Sequence, residues 1–354
     1  MNSKNKKATV SDISKLAGVS AATVSRVLSS SNYPVRQELR DKVLEVAREL
    51  NYRPNVLSRM LRGGESKEIG IIAPSITNPF YAQLISAAER ECMNRGYLPF
   101  ICSSLGDAEL ELRHLDTLEE RQVAGIILSS INSGEGFLKK LAEIRTPLML
   151  FDQTFDGFSG DCIRFDFFKG GYLSTEHLIR SGHRDIVFAS GPLDRGSRRL
   201  MYEGYKQALR DNGMRSGKRK LLTPQPQSDA SDESDYQLGQ ALGDLLLEGE
   251  YLPDAIVTIN DMTAIGLINN LQKAGIQVPH DLSVMGFDDI SISAMVTPPL
   301  STIHQPTQDT GRLAAKNLLD KIEHQTSEPV QMMLQPILVE RSSVRKIHKK
   351  IRRP

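Results

Sequence analysis

Residues suited to specific chemistry lie close together near the start of the chain, in segment 20–28. At helical spacing its two valines share one face, which we expect to be buried. The opposite face presents Ser25 and Arg26, with Ala21 and Ala22 beside them. A guanidinium offers paired donors to guanine or phosphate, and small side chains allow close approach to base edges. The spacing therefore predicts a helix whose outer face contacts duplex DNA.

A second set of polar residues follows predicted buried strands further along the chain. Asp152, Asn260 and Asp288 each come directly after such a strand, as does Ser129. Ligands of parallel α/β sheets bind outside the carboxyl ends of the strands, so we expect these side chains to face one cleft. A helix cap is the alternative role for Asn260 and Asp288. The same rule also points to segments 74–81, 191–197 and 287–289.

Other chemistries have little support in the sequence. Glycine-rich nucleotide loops, serine-hydrolase elbows and zinc-protease motifs are absent, so we predict no catalytic residues, no metal site and no cofactor. The three cysteines lack CxxC spacing, which favours free thiols in a reducing compartment. No apolar run approaches the ~18 residues of a membrane helix. We expect a cytoplasmic protein with no membrane partner.

The DNA-contacting segment needs a small helical domain to hold it. Thr9 is placed to cap a first helix, with Asp12 at the capping-box position, and Gly18 suits the turn that follows. Ser20 is placed to cap the second helix. A third helix is predicted over 37–50. The residues expected on the inner faces of the first and third helices are Ile13, Leu16, Ala17, Leu39, Val43, Val46, Ala47 and Leu50.

A short basic segment follows these helices. Asn55 is placed to cap residues 56–62, which end at two glycines. A helix this short is unstable alone, so we expect it to order only with DNA and a second copy of the chain. Leu61 and Arg59 combine an apolar wedge with a cation, which suits a minor groove. A flexible linker is the alternative interpretation.

From residue 69 the pattern changes to buried strands alternating with amphipathic helices. Strict alternation is typical of parallel sheets wound on both sides. More than ten elements exceed the usual share of one sheet, so two subdomains are expected. The fold class is therefore α/β, with an N-terminal all-α helix-turn-helix domain and two doubly wound parallel-sheet subdomains.

The net charge of +1 conceals an asymmetry along the chain. Residues 1–62 hold 12 basic and 5 acidic side chains, whereas residues 63–344 hold 26 basic and 38 acidic ones. The first segment attracts phosphate and the second repels it. DNA contact is therefore expected at the amino-terminal end.

Several segments together resemble the LacI/GalR family of bacterial transcription regulators. They are residues 9–13, 17–20, 23–28 and 50–55 in the predicted DNA-binding domain, and 69–72, 78–81, 182–186, 281–289 and 298–303 beyond it. The resemblance extends over nearly the full length. It implies domains at 1–54 (helix-turn-helix), 55–66 (hinge) and 67–344 (a periplasmic-binding-protein-like effector core). Crossovers between the two subdomains are implied near 161–166, 302–305 and 335–337.

The resemblance implies a homodimer on a pseudo-palindromic operator, most simply a repressor, with a small-molecule effector between the subdomains. The implied DNA-contacting positions are Thr9, Ser20, Ala21, Ala22, Thr23, Ser25, Arg26, Asn55, Ser58, Arg59 and Leu61. The implied effector positions are Asn78, Phe80, Ser129, Asp152, Arg195, Asn260 and Asp288. An aromatic ring beside carboxylates and amides suits a hydroxyl-rich ligand such as a sugar.

The sequence also departs from the family pattern. Met201 stands where many members carry a ligand-gripping arginine, for which Arg195, Arg198 or Arg199 could substitute. Segment 191–195 is similar to purine-responsive members, so a purine corepressor is the alternative to a sugar. Arg36 and Ser58 replace the usual serine cap and hinge alanine. A basic tail over 345–354, without leucine heptads, predicts a dimer with a disordered end. A sugar-binding protein without a regulatory role is the remaining alternative.

Overall fold

The structure is a computed structural model that describes residues 8–28, 33–52, 66–132, 135–152, 158–214, 221–224, 235–249, 251–326 and 328–347. Contacts divide the chain into two compact units, residues 1–66 and 67–354. We call the first unit the head and the second the body.

Three helices form the described part of the head: α1 (Val10–Ala17), α2 (Ala21–Leu28) and α3 (Gln37–Glu49). The predicted capping box at α1 is confirmed, because the Thr9 and Asp12 side chains each accept from the other's backbone N–H. Gly18 ends α1 with φ of 65°, in the left-handed region that favours glycine. Ser20 caps α2, since its Oγ accepts from the Thr23 N–H at 3.1 Å.

The head has one small apolar core. Its buried members are Ile13, Ala17, Val24, Val27, Val43, Val46 and Ala47. Two predicted inner residues are exposed, Leu16 at 61% and Leu39 at 36%, and a third, Leu50, is only partly buried. Three short helices cover only a narrow stripe of each other's surface, so residues at the margin of the predicted faces remain in solvent. Arg36 precedes α3 without a side-chain cap.

The body alternates strands and helices along most of its length. In chain order the elements are β1 (Glu68–Ala73), α4 (Pro79–Asn94), β2 (Leu98–Ser103), α5 (Ala108–Glu120), β3 (Gly125–Leu128), α6 (Glu135–Glu143), β4 (Leu148–Asp152), β5 (Asp161–Phe165), α7 (Phe167–Arg180), β6 (Ile186–Ala189), α8 (Gly196–Asp211), β7 (Leu221–Leu222), α9 (Asp235–Leu247), β8 (Ala255–Thr258), α10 (Asp261–Lys273), β9 (Ser283–Met285), a 3-10 helix (Ser291–Ala294), β10 (Thr302–His304), α11 (Thr307–His324), β11 (Gln331–Leu334) and β12 (Ile337–Val339).

Two parallel sheets organise the body. The first has six strands in the order β11-β5-β4-β3-β1-β2, and the second has four in the order β7-β6-β8-β9. Strands such as β1, β3, β6 and β8 are almost entirely buried, as expected for sheets covered by helices on both faces. The predicted fold class, an α/β body with two parallel-sheet subdomains, is confirmed.

The chain passes between the two subdomains three times. β5 belongs to the first sheet, whereas α7, which follows it, packs on α8 in the second subdomain. β10 lies beside the second sheet, and the next element, α11, packs on α4 in the first. After β11 the chain returns as β12, which pairs antiparallel with β10. These passages surround the meeting point of the two sheets.

The end of the described chain differs from the disordered tail predicted from residue 345. The Ile347 N–H donates to the Ser181 carbonyl at 2.7 Å, and the Arg345 N–H donates to Ser283 Oγ at 3.1 Å. Residues 345–347 are therefore held on the second subdomain, since backbone groups there find partners. Residues 348–354 lie outside the described part. None of the helices described is long and apolar enough to cross a membrane.

Candidate functional site

The predicted outer face of α2 lies on the surface of the head. Ala21, Ala22 and Arg26 are exposed, and Ser25 is half-buried. Thr23 stays close to the cap, with its Oγ1 2.9 Å from Ser20 Oγ. Helix α2 therefore presents small and cationic side chains to solvent, as a base-reading helix requires. The other predicted DNA contacts, Asn55, Ser58, Arg59 and Leu61, lie outside the described residues.

A cavity opens in the body where the carboxyl ends of the two sheets meet. It encloses about 570 Å³ of space between protein atoms, with the solvent at its mouth included. The structure brings most of the predicted effector residues to its wall: Asn78, Phe80, Asp152, Arg195, Asn260 and Asp288. Ser129 is fully buried and does not line the cavity. Its Oγ donates to Asp152 Oδ2 at 3.4 Å, which places Ser129 behind that carboxylate.

The first subdomain contributes one wall. Asn78 caps α4, with its Oδ1 accepting from the Phe80 N–H at 3.0 Å. Asp152 ends β4 with φ of 71°, which aims a nearly buried carboxylate at the cavity. The Tyr81 hydroxyl donates to Asp152 Oδ2 at 3.4 Å. Burial and then the charge of Asp152 raise the pKa of Tyr81 well above its usual value, so this hydroxyl stays a donor.

The second subdomain contributes the facing wall. Asn260 caps α10 through Oδ1, which accepts from the Thr263 N–H at 2.8 Å. Asn260 thus caps a helix, as the alternative role predicted, and also lines the cavity. Asp288 follows β9 with φ of 116°, and its Oδ1 accepts from Gln305 Nε2 at 2.7 Å. Burial, and next the charge of Asp261, raise the pKa of Asp288 well above its usual value.

Two hydrogen bonds in the described part of the body join the two subdomains, and the first of them joins residues of the cavity wall. Asn78 Nδ2 donates to Asp235 Oδ2 at 2.7 Å, which links the start of α4 to the start of α9. Gln83 Nε2, on the same helix α4, donates to Ser291 Oγ at 3.1 Å. A change in the angle between the subdomains has to break or remake these contacts.

Aromatic rings form a continuous row from one subdomain to the other. The ring centroids of Phe80 and Phe165 are 6.1 Å apart, and those of Phe165 and Phe167 are also 6.1 Å apart. Phe167 stacks on Phe287 at 6.2 Å. Phe80, Phe167 and Phe287 reach the cavity wall. The cavity therefore combines apolar ring surface with carboxylates and amides. These groups complement a ligand that has both an apolar ring face and hydroxyl groups.

The cationic side of the cavity comes from the start of α8. Met201 lines the cavity and is buried, so no arginine occupies that position. Arg198 donates to the Pro192 carbonyl at 3.0 Å, and burial lowers its pKa. Arg199 donates to the Asp194 carbonyl at 2.6 Å and does not line the cavity. Of the three candidate substitutes, Arg195 and Arg198 reach the cavity.

Sequence reasoning missed part of the cavity lining. Besides Arg198 and Met201, which the sequence had raised in connection with the missing arginine, the additional residues are Tyr81, Phe167, Ser197, Asp235, Ile259, Phe287 and Gln305. Tyr81, Ser197 and Phe287 lie in segments that the strand-end rule had selected. Asp235, Phe167 and Gln305 follow no predicted strand, because they belong to helix starts and passages between subdomains. Phe167 and Gln305 lie beside or within the implied crossovers, which was their only signal in the sequence. Asp235 had no such signal.

Comparison with known proteins agrees with this arrangement. Residues 9–55 match the bacterial regulatory proteins of the lacI family, and residues 175–344 match the periplasmic binding protein-like domain. The ribose operon repressor of Escherichia coli strain K12 is 36% identical over 338 residues, covering 95% of this chain and 99% of the repressor. This chain belongs to the LacI family.

Other LacI-family proteins are similar over comparable lengths. The HTH-type transcriptional repressor PurR of Aliivibrio salmonicida is 33% identical over 343 residues, covering 96% of this chain and 100% of PurR. The crystal structure of the lac repressor dimer bound to operator and the anti-inducer ONPF has a TM-score of 0.78 and 27% identity, covering 96% of this chain and 100% of that one. A LacI-family regulator from Enterococcus faecium with bound ribose has a TM-score of 0.70 and 28% identity, covering 79% of this chain and 100% of that one.

Membership in the LacI family settles the broad class. The protein is a DNA-binding transcriptional regulator and not an enzyme. The helix-turn-helix head and the two-subdomain body are the two parts that this family joins in one chain.

Proposed function

We propose that this LacI-family protein is a dimeric repressor whose affinity for a two-fold symmetric operator is set by a sugar-like effector in the body cavity. The observation that carries the proposal is the cavity itself. Carboxylates from both subdomains, Asp152, Asp235 and Asp288, surround a row of aromatic rings. Carboxylates accept hydrogen bonds from hydroxyl groups, and ring faces cover the apolar side of a sugar.

The charges in the cavity favour a neutral ligand. The three carboxylates face the guanidinium groups of Arg195 and Arg198, and Arg198 is already bound to a backbone carbonyl. A phosphorylated ligand would place its negative charge among these carboxylates in a poorly solvated space, which costs free energy. We therefore favour an uncharged sugar over a sugar phosphate. The ribose operon repressor among the relatives is consistent with this choice.

A purine corepressor is the second candidate. PurR proteins are similar over almost the whole chain, and segment 191–195 brings Arg195 to the cavity. A purine needs a flat slot with ring faces on it. In the described cavity the rings of Phe80, Phe167 and Phe287 form one row, and carboxylates occupy much of the remaining wall. That polar wall favours hydroxyl groups over a planar base.

We propose the following organisation. Residues 1–54 read DNA through the outer face of α2, residues 55–66 form the hinge, and residues 67–344 bind effector and pair two copies. Effector changes the angle between the subdomains through the three passages of the chain, and this changes the separation of two hinges in the dimer. Operator affinity then changes by a coupling free energy of about 1–3 kcal/mol. Because its DNA partner is chromosomal, we place the protein in the cytoplasm.

A thermal-shift screen of the full chain tests the effector class. Neutral sugars, sugar phosphates and purines are compared at equal concentration, because a ligand that binds the native state raises its melting temperature. We expect a neutral sugar to raise it and the matching sugar phosphate to leave it unchanged. A rise with purines alone contradicts the sugar assignment.

A DNA-binding assay of the full chain tests the repressor itself. Failure to prefer any two-fold symmetric duplex contradicts this part of the proposal.

A further inference from the structure

The head carries an aromatic side chain that its fold does not require. Tyr33 lies between α2 and α3 and is 56% exposed. It is neither among the buried residues of the head core nor among the partly buried ones that pack against that core. Aromatic residues are enriched at interaction surfaces relative to the rest of a protein's surface. The packing of the head therefore does not explain Tyr33.

Tyr33 contacts the side chain expected to read bases. The guanidinium carbon of Arg26 lies over the Tyr33 ring, 4.1 Å from its centroid. Both side chains are exposed, and Arg26 projects from the outer face of α2. The contact is therefore on the side of the head that presents the DNA-facing residues.

Stacking on a ring changes what an arginine can do. A free arginine side chain samples many rotamers, and this freedom is lost when it binds in one geometry. A ring face below the guanidinium restricts the rotamers of the arginine side chain. Binding then costs less entropy for each hydrogen bond formed.

We infer that Tyr33 is a positioning residue, which holds the Arg26 guanidinium over its ring and so presents the donors of Arg26 to a base edge. The inference rests on the proposed role of Arg26 in base reading. It adds a specificity determinant from outside the recognition helix. The tyrosine ring, and not its hydroxyl, is the active part.

The test uses the full-length protein and a two-fold symmetric duplex that the wild type selects from a randomised pool. A scrambled duplex of equal length reports non-specific binding. The variants are Y33A, Y33L, Y33F, R26A and the double variant R26A/Y33A. Y33L keeps apolar bulk without an aromatic face, and Y33F keeps the ring without the hydroxyl. Far-UV circular dichroism and melting temperature check that each variant is folded.

A stack of this kind at an exposed site contributes about two- to fivefold to the affinity of each head, so two heads lose about 4- to 25-fold. We expect this loss on the selected duplex for Y33A and Y33L, a change below about twofold for Y33F, and a change below about twofold for every Tyr33 variant on the scrambled duplex. In the R26A background, Y33A has no further effect. Y33A and R26A relax the preference at the same base pair.

Three results overturn the inference. If Y33A and Y33L bind the selected duplex like wild type, the ring does not position Arg26. If Y33A weakens binding equally with and without Arg26, Tyr33 acts independently of it. If Y33F is as weak as Y33A, the hydroxyl acts instead, as in a phosphate contact. If R26A itself binds the selected duplex like wild type, the base-reading role on which the inference rests is wrong. This result is distinguishable from the other three.

Discussion

Asp288 shows how one residue connects ligand and framework. Its carboxyl group lines the cavity and accepts from Gln305, which lies in a passage between the subdomains. In the proposed site, a ligand hydroxyl that bonds to Asp288 contacts a carboxyl group that is already hydrogen-bonded to a passage between the subdomains.

Replacing Asp288 with alanine should therefore remove most of the effector response. Loss of a buried hydrogen-bonding group costs about 1–3 kcal/mol, which corresponds to roughly a 5- to 150-fold weaker effector affinity. Isothermal titration with the effector found in the screen measures the change. The control is Asp309→Ala, which changes an exposed residue of α11 whose carboxylate pairs only with Arg312 in the described structure. Equal effector affinity in Asp288→Ala and wild type would remove Asp288 from the site.

Arg26 is the side chain that we expect to read bases. Arg26→Ala should weaken binding to the selected operator by about 1–3 kcal/mol, since it removes paired donors to a base edge. Arg48→Ala removes the same charge from an exposed position on α3 and serves as the control. Gel-shift titrations on operator and scrambled duplex separate specificity from charge. If the ratio of the two affinities is the same in Arg26→Ala as in wild type, base reading by Arg26 is excluded.

Residues of the site were predictable where strand ends supply them. A buried strand ends at Asp152, and two others precede Asn260 and Asp288. Ligands of parallel sheets bind outside the carboxyl ends of the strands, which places these residues at one edge. Asp235 opens a helix and joins Asn78 only through the tertiary fold. A single sequence contains no signal for such a pair, since 157 positions separate the two residues.

Helix pairs in the body depend on glycine for close approach. A Cβ on Gly204 of α8 would collide with the backbone oxygen of Phe168 in α7, and one on Gly171 of α7 would collide with the backbone oxygen of Met201 in α8. Backbone atoms cannot move aside as a flexible side chain can. The α7–α8 contact, which borders the cavity, is therefore fixed by two small residues.

Gly204→Ala should destabilise the protein by about 1–3 kcal/mol through overpacking. Gly136→Ala, in α6, is the matched control, because a Cβ there meets nothing within 4 Å. The control should be neutral or stabilised by up to about 1 kcal/mol, since alanine favours helix. Urea unfolding followed by circular dichroism compares the midpoints. A Gly204→Ala midpoint at or above that of Gly136→Ala would contradict the close contact.

An ion-pair network spans the passage at β10. Asp289 Oδ2 lies 2.9 Å from His304 Nδ1, and Asp289 Oδ1 accepts from Arg341 at 2.6 Å. The hydrogen bond from His304, followed by that from Arg341, lowers the pKa of Asp289. A carboxyl with a lowered pKa in the folded state stabilises the fold above its ordinary pKa, and this stabilisation is lost as the pH falls through the lowered value.

Asp289→Asn should therefore destabilise the protein most at pH 7, by about 1–2 kcal/mol, with the difference from wild type shrinking below about pH 4. Asp309→Asn breaks a pair whose two side chains are 62% and 51% exposed, and it should change stability little at either pH. Melting temperatures at a series of pH values give both differences. A pH-independent effect of Asp289→Asn would show that the carboxylate charge is not what stabilises the passage.

Elements were predictable from periodicity only when they were long or strongly patterned. The helices of the head and strands such as β3 and β8 agree with the predicted segments. β3 and β8 are buried at all four of their residues, whereas β7, β10, β11 and β12 are short strands that are only partly buried. These four therefore lack the continuous apolar run that marks a buried strand. β5 follows β4 without an intervening described helix, which the strict alternation did not anticipate.

At the scale of the whole molecule, the two sheets and the three passages make the body a two-part clamp around one cavity. The hydrogen bonds Asn78–Asp235 and Gln83–Ser291 join the two subdomains, and Asn78 and Asp235 also line the cavity. A ligand changes DNA affinity only if it binds one subdomain arrangement better than the other. The proposed repressor therefore requires that ligand binding in the body changes the DNA affinity of the head.

The most direct test of that coupling is the operator affinity of the full chain with and without its effector, in wild type and in Asp288→Ala. The duplex is the one selected by the wild type, and the effector is the compound that raises its melting temperature. We predict that saturating effector changes operator affinity by about 5- to 150-fold in wild type and by less than about twofold in Asp288→Ala. An effector that binds the wild-type cavity and leaves operator affinity unchanged would contradict the account.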